Sequence, residues 1–373
     1  YEVNAQGGTS LNAKFKEVLL AALLFECGDH NGLGREILEA YTKDVNGHFA
    51  AYAYHVLSVG TAMKSEAART RPNVIVIMAD DLGFSDLGCY GGEIQTPNID
   101  RLAQDGIRFS GFKNTSRCAP SRASLLTGRY QHAVGVGWMT AVDEQRPGYR
   151  GQLSPSAPTL AEILKAHGYG TGVVGKWHLT LVEQSKTLER LFPLDRGFDF
   201  YHGTWWGAKD YFSPRYMMKN REHLAEGNYP KDYYLTGDLS ESAIDFIESQ
   251  SGKDRPFFLY LAHYAPHAPI QAPEARVQKC LNRYLAGFEQ LQRERFARQQ
   301  TLGVLPENTT IAAGMPSWDK LSDARKNAWA RKMATYAAMI EIMDDGIGNL
   351  IEVLIESGQY ENSLIFFLSD NGA

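Results

Sequence analysis

The chain has 373 residues, 44% of them hydrophobic, 22% charged and 11% aromatic, which is the make-up of a folded chain able to bury a large core and not of a disordered or coiled-coil one. A formal net charge of -5, from 38 Lys and Arg against 43 Asp and Glu, gives no basic field for a phosphate backbone, so nucleic acid is not an expected partner. The four cysteines, Cys27, Cys89, Cys118 and Cys280, show no CxxC or Cys/His spacing, which argues against a disulfide framework or structural zinc, and the longest apolar runs, 18–25 and 74–79, are too short to cross a bilayer, so the protein is expected not to be integral to a membrane.

Residues 1–62 read as an Ala/Leu-rich helical appendage, with helices expected over 11–26, 33–41 and 48–59 and a Gly-rich break at 27–34. The stretch at 14–25 has the outline of a signal peptide, but Glu17 interrupts it and no small-residue cleavage site follows, so it is read as an amphipathic helix and the compartment is left open. The chain begins with Tyr1, and Met63-Lys64 would make a natural start, so the expectation is an appended unit of unknown role ahead of a main domain at 71–373.

From Asn73 onward short β-branched runs alternate with helices, the pattern of an α/β fold with a mostly parallel central sheet flanked by helices. Strands are expected at 74–78, 172–174, 257–261 and 364–368. Helices are expected at 96–106, with Pro97 in its first turn, at 120–127 before Gly128, at 159–167 before Gly168, and at 334–358. The apolar stripe Tyr336, Met339, Ile340, Met343, Ile347, Leu350, Ile351 and Leu354 has helical spacing and reads as core, while the charged stretch 289–300 reads as a solvated helix face.

Two of the strands end in acids, Asp80-Asp81 and Asp370-Asn371, and ligands of open α/β sheets sit at the carboxyl ends of strands. Each pair alone could cap a helix or make a turn. Together, three carboxylates and an amide oxygen are hard donors suited to Ca²⁺, or to Mg²⁺, the other hard cation these oxygens would accept. In Arg117-Cys118-Ala119-Pro120-Ser121-Arg122, Pro120 marks the first turn of a helix. Cys118 is then expected at a helix N-terminus that favours an anion, with Arg122 on the same helix face. Cys89 and Cys280 are read as small buried hydrophobes. Lys176 and His178 follow a strand and lie on one side of it if the backbone stays extended, able to bind an anion and move a proton. His267 sits in the Pro-stiffened APHAP loop after another strand, and His263 is given a structural role.

Those residues lie in the segments RPNVIVIMADDLGFSDLGCYG, TPNIDRLAQDGIRF, CAPSRASLLTGR, GYGTGVVGKWHL, FPLDRGFDFYHG, APHAPIQAP and NSLIFFLSDNGA, which together resemble the sulfatase family of the alkaline phosphatase superfamily in family order across 71–373. The resemblance implies that Cys118 is converted to formylglycine by a formylglycine-generating enzyme. It implies one Ca²⁺ held by Asp80, Asp81, Asp370 and Asn371 together with the modified Cys118. It also implies that Arg122 orients the hydrated aldehyde, Lys176 neutralises sulfate oxygens, His178 takes a proton during sulfate release and His267 assists the leaving alcohol of an aryl or carbohydrate sulfate ester.

Family members carry a further sulfate-binding lysine and a small antiparallel subdomain beyond the Asp-Asn motif, so this chain, ending at Ala373, is expected to be incomplete at its C-terminus and less soluble than a longer version. Two other readings stay open: a phosphate or phosphonate monoester hydrolase of the same superfamily, which a second metal-ligand set would favour, and a non-catalytic binder of sulfated glycans. The aromatic cluster Trp205, Trp206, Tyr211, Phe212 and Tyr216 could stack on a sugar or aryl ring or simply pack locally.

Overall fold

The run NVIVIMAD is apolar between its two polar ends, too continuous for a strand with one wet face, and in the computed structural model it forms β1 (Asn73–Asp80), buried along its whole length. The structure describes residues 33–43, 53, 71–181, 191–306, 308–311 and 317–373. The chain divides into two compact units, Tyr1–Asn73 and Val74–Ala373. In the first, α1 (Leu33–Thr42) is the helix expected at 33–41; those expected at 11–26 and 48–59 lie, but for Ala53, outside the described residues.

In the second unit, β1 joins β2 (Gly170–Gly175), β3 (Phe200–Thr204), β4 (Met217–Lys219), β5 (Glu222–His223), β6 (Phe257–Pro266) and β7 (Ser363–Ser369) in one seven-stranded sheet of order β5-β4-β3-β2-β6-β1-β7. The β1–β6, β6–β2 and β2–β3 pairs are parallel, and β3–β4 and β4–β5 are antiparallel. This is the mostly parallel, helix-flanked α/β sheet expected from the alternation of strands and helices. Successive side chains of β1 and β6 feed opposite cores. Ile75, Ile77, Leu259 and Leu261 pack on the face covered by α5 (Leu235–Gln250), α6 (Glu274–Tyr284) and α8 (Asp323–Glu356). Val76, Met78, Phe258 and Tyr260 pack on the face with α3 (Cys118–Thr127) and α4 (Leu160–Ala166).

The stripe residues of α8 are all buried, but the helix starts at Asp323, well before 334. Its first turns carry charge and no apolar stripe, so periodicity could not reveal them; Ser322 caps them by accepting from the Arg325 N–H at 3.4 Å. The helix expected at 96–106 is α2 (Pro97–Asp105). The charged stretch 289–300 lies in α7 (Phe288–Thr301), and it is not only a solvated face. Arg295 is largely buried, donating to Asp86 at 2.7 Å and to Glu93 at 2.7–3.0 Å.

Two local features set the strand ends. Between Met78 and Asp80 the β1–β6 register slips, so Met78 pairs with Ala262 but Asp80 with Pro266, and the extra length of β6 carries the chain on to His267 beside Asp81. Gly175, at the end of β2, has φ 105°, and a Cβ there would overlap the Ala262 carbonyl, so only glycine lets β2 lie this close to β6 as it delivers Lys176.

Candidate active site

Four strand ends and one helix start converge. The Asp370 N–H donates to the Ala79 carbonyl at 3.1 Å, which seats the end of β7 beside the end of β1. Oxygens of Asp80 and Asp370 and the sulfur of Cys118 lie within 4.8 Å of one another, all on buried residues, and a second group, Asp80, Asp81 and His267, meets the same limit. Cys118 opens α3, with Arg117 as its extended N-cap and Gly128 closing the helix in the left-handed conformation. Arg122, one turn on and fully buried, donates to Asp370 Oδ2 through Nε at 3.1 Å and Nη2 at 2.7 Å, and to the Lys176 carbonyl at 2.8 Å. Lys176 Nζ donates to Asp80 Oδ2 at 2.6 Å and lies 5.3 Å from the centroid of the Tyr264 ring. Asn371 Nδ2 donates to Asp81 Oδ1 at 2.5 Å, and His267 Nε2 is 3.5 Å from Asp81 Oδ2.

The electrostatics follow from this crowding. Burial first, and then the neighbouring Asp80 charge, push the Asp370 carboxyl up to about 6 despite Arg122 and Lys176. Burial pushes the Cys118 thiol up, against the pull of Lys176, so it is not an ionised thiolate at neutral pH and is a poor nucleophile as it stands. His178 is held well below its ordinary value by burial and by the charges of Lys176, Arg122 and His267. His178 does not continue an extended strand: its φ is 54°, and both its ring nitrogens are buried without a partner. The side-by-side placement of Lys176 and His178 therefore comes from a left-handed turn, not from strand alternation. Asp81 is also left-handed, at φ 64°, which lets successive aspartates serve one site.

The donor set fits a hard cation. Asp80 Oδ1 and Asn371 Oδ1 are buried oxygens without a hydrogen-bond partner, beside three carboxylates that repel one another. Both ligand groups found among the described residues share Asp80, so they offer one acidic metal site and not two.

Several residues that support the site carry no signal in the sequence pattern. The Ser369 hydroxyl accepts from the Leu82 N–H at 3.1 Å. Tyr336 OH donates to Asp86 Oδ2 at 2.7 Å, and that carboxylate accepts from the Gly83 N–H at 3.1 Å, bracing the turn after Asp81. Tyr211 OH donates to the Tyr264 and His267 carbonyls at 2.9 and 2.8 Å, which makes Tyr211 part of the scaffold and not of a ligand platform. His263 is buried in β6 with burial holding it down to about 4, in line with a structural role. Cys280 is fully buried, while Cys89 is only half-buried.

Among the described residues no helix is long and apolar enough to cross a membrane. The family model described as Sulfatase matches residues 72–373. An uncharacterized sulfatase of Schizosaccharomyces pombe is 37% identical over 84% of this chain and 59% of its own length. The arylsulfatase of Klebsiella aerogenes is 35% identical over 82% of this chain and 67% of its own. A crystal structure of Ps i-CgsB in complex with k-i-k-neocarrahexaose superimposes with a TM-score of 0.59 at 30% identity, covering 82% of this chain and 59% of that one. This chain thus spans about three fifths of the length of the first of these relatives, and by its sequence and its fold it belongs to the sulfatase family.

Proposed function

We propose that the protein hydrolyses sulfate esters, aryl or carbohydrate, at the cluster of Asp80, Cys118 and Asp370. The single observation carrying this reading is that acids from the two ends of the second unit meet the first residue of α3 within 4.8 Å, with Lys176 and Arg122 supplying fixed positive charge. Asp80, Asp81, Asp370 and Asn371 would hold one hard cation, for which we propose Ca²⁺, and it would supply positive charge to the oxygens of a bound sulfate when present. Formylglycine made from Cys118 by a formylglycine-generating enzyme would supply, as its hydrate, an oxygen nucleophile and a second hydroxyl through which sulfate can leave. The elevated thiol fits a residue that works only after modification.

The other residues have roles that their positions support. Arg122, fixed by three hydrogen bonds to Asp370 and the Lys176 carbonyl, orients the group at position 118. Lys176 presents its ammonium beside Asp80, where it can meet a sulfate oxygen. His178, kept neutral by burial and by its cationic neighbours, has a ring nitrogen free to accept a proton. His267, at the rim 3.5 Å from Asp81, would assist the departing alcohol. The shared Asp80 in both ligand groups favours a one-cation sulfatase over a two-metal phosphatase.

Mass spectrometry of the peptide around Cys118, from chain co-expressed with a formylglycine-generating enzyme, tests the reading. An aldehyde at position 118 is expected. A thiol that persists with the maturing enzyme present would overturn the formylglycine assignment and leave a glycan-binding protein as the better account.

A further inference from the structure

The loop between β3 and β4 runs through Trp205-Trp206-Gly207-Ala208-Lys209 and returns at Tyr216. Lys209 and Tyr216 both have positive φ, 62° and 61°, a conformation disfavoured for any residue with a Cβ and rarely kept without a function or an enforced contact. The outcome is a shelf: Lys209 Nζ lies 5.4 Å from the Trp206 ring centroid and 5.5 Å from that of Tyr216, and Tyr216 packs edge-on against Trp205 at 6.5 Å. Lys209 is exposed and, among the described residues, makes no ion pair. The adjacent Asp210 is turned away, accepting from the Phe212 and Ser213 N–H groups and from Gln271.

This loop is fastened to the elements that carry the site. The His178 N–H donates to the Trp205 carbonyl at 3.0 Å. Tyr264, whose ring faces Lys176, donates its hydroxyl to the Trp206 carbonyl at 2.7 Å. Tyr211 of the same loop donates to the His267 carbonyl. The loop that carries the shelf is therefore tied to His178, Tyr264 and His267 and cannot shift without moving these neighbours.

Resting on the sulfate-ester reading, we propose that the Trp206–Lys209–Tyr216 shelf binds a sugar ring bearing a second anionic group, so that the substrate is an anionic glycan with at least two charges and not a simple aryl sulfate. One sulfate is met by the buried charge of Lys176. The exposed Lys209 ammonium, held over two rings and without an ion pair among the described residues, is a second positive charge that a second anionic group can meet. The parts of the Trp206 and Tyr216 rings left exposed beside the ammonium offer apolar surface to a sugar ring, and the ammonium keeps N–H donors for a sulfate or a carboxylate.

Calorimetric binding to the Ca²⁺-loaded chain carrying Cys118→Ala, which blocks turnover, tests this with four probes. They are nitrophenyl sulfate, a monosulfated hexose, the same hexose with a second sulfate, and a disaccharide with one sulfate and one uronic carboxylate. One or both doubly charged sugars are expected to bind about tenfold more tightly than the monosulfated hexose, and which of them does so tells sulfate from carboxylate. Lys209→Met, which keeps the packing stem, should erase that difference without weakening the monosulfated hexose, and Lys209→Arg should retain it. Equal affinity for singly and doubly charged sugars, or discrimination that survives in Lys209→Met, overturns the proposal. Failure of every sulfate ester to bind overturns the sulfate-ester reading and this proposal with it.

Discussion

Arg122 and Asp370, 248 residues apart in the chain, are joined by a two-pronged hydrogen bond from Nε and Nη2 to one carboxylate oxygen, with neither side chain exposed. Removing one member of such a pair leaves an uncompensated buried charge. Arg122→Ala is expected to lower stability by about 3–5 kcal/mol, and Arg122→Lys, which keeps the charge but not the fork, by less. Urea unfolding checks the order; an unchanged midpoint for Arg122→Ala would contradict it.

Calcium should stabilise the chain, because a cation bound by the folded Asp80–Asp370 cluster has no equivalent site in the unfolded chain. At a hundred times the dissociation constant the gain is about 2.7 kcal/mol. Thermal unfolding with added Ca²⁺ and with chelator should therefore differ by several degrees. Asp370→Asn, which removes one charged ligand, should shrink that difference, whereas a Ca²⁺ response equal in both proteins would move the cation elsewhere.

Asp344 of α8 caps α2 from outside, accepting from the Asn98 N–H at 3.2 Å, from the Ile99 N–H at 2.8 Å and from Asn98 Nδ2 at 2.9 Å. Asp344→Ala is expected to cost about 1–3 kcal/mol. Burial raises this carboxyl to about 6 against an ordinary 3.8. Because the folded pKa is the higher one, the folded state holds the proton more tightly, and the Asp344 contribution is fully present below about pH 4 and diminishes as pH rises towards 6. Comparing stability between pH 4 and 6 in the wild type and Asp344→Asn checks this: the substitution should flatten the decline with rising pH.

Tyr336→Phe deletes the hydroxyl that donates to Asp86 and accepts from the Gly83 N–H at 3.3 Å. The turn that holds Asp81 then loses a brace, so the expected results are a loss of about 1–2 kcal/mol and weaker Ca²⁺ binding by titration calorimetry. Weaker stability with unchanged Ca²⁺ affinity would make Tyr336 a packing residue only.

The strand and helix order was legible because 74–79 of β1 and 257–262 of β6 are continuous apolar runs and the later part of α8 is apolar at helical spacing, and the Asp, Lys and His groups stand at strand ends where an α/β sheet gathers ligands. What the pattern could not convey were contacts made across the fold. Asp344 caps α2 from a distance, Arg295 turns a charged helix inward, and the register slip in β6 places His267. Nor could spacing show that His178 and Asp81 take left-handed backbone, since Asp and His enter that region more readily than most residues but still only at a minority of positions. A capping box at Thr159 and Glu162 was readable in T-L-A-E, where each side chain accepts from the other's N–H.

The most direct measurement is the pair of initial rates on nitrophenyl sulfate and nitrophenyl phosphate, taken with Ca²⁺ on chain whose aldehyde content at position 118 is known. Turnover of the sulfate that rises in proportion to aldehyde content and falls with Asp80→Asn is the predicted result. Preferential cleavage of the phosphate, or sulfate turnover indifferent to the aldehyde, would contradict the assignment of this cluster to sulfate-ester hydrolysis.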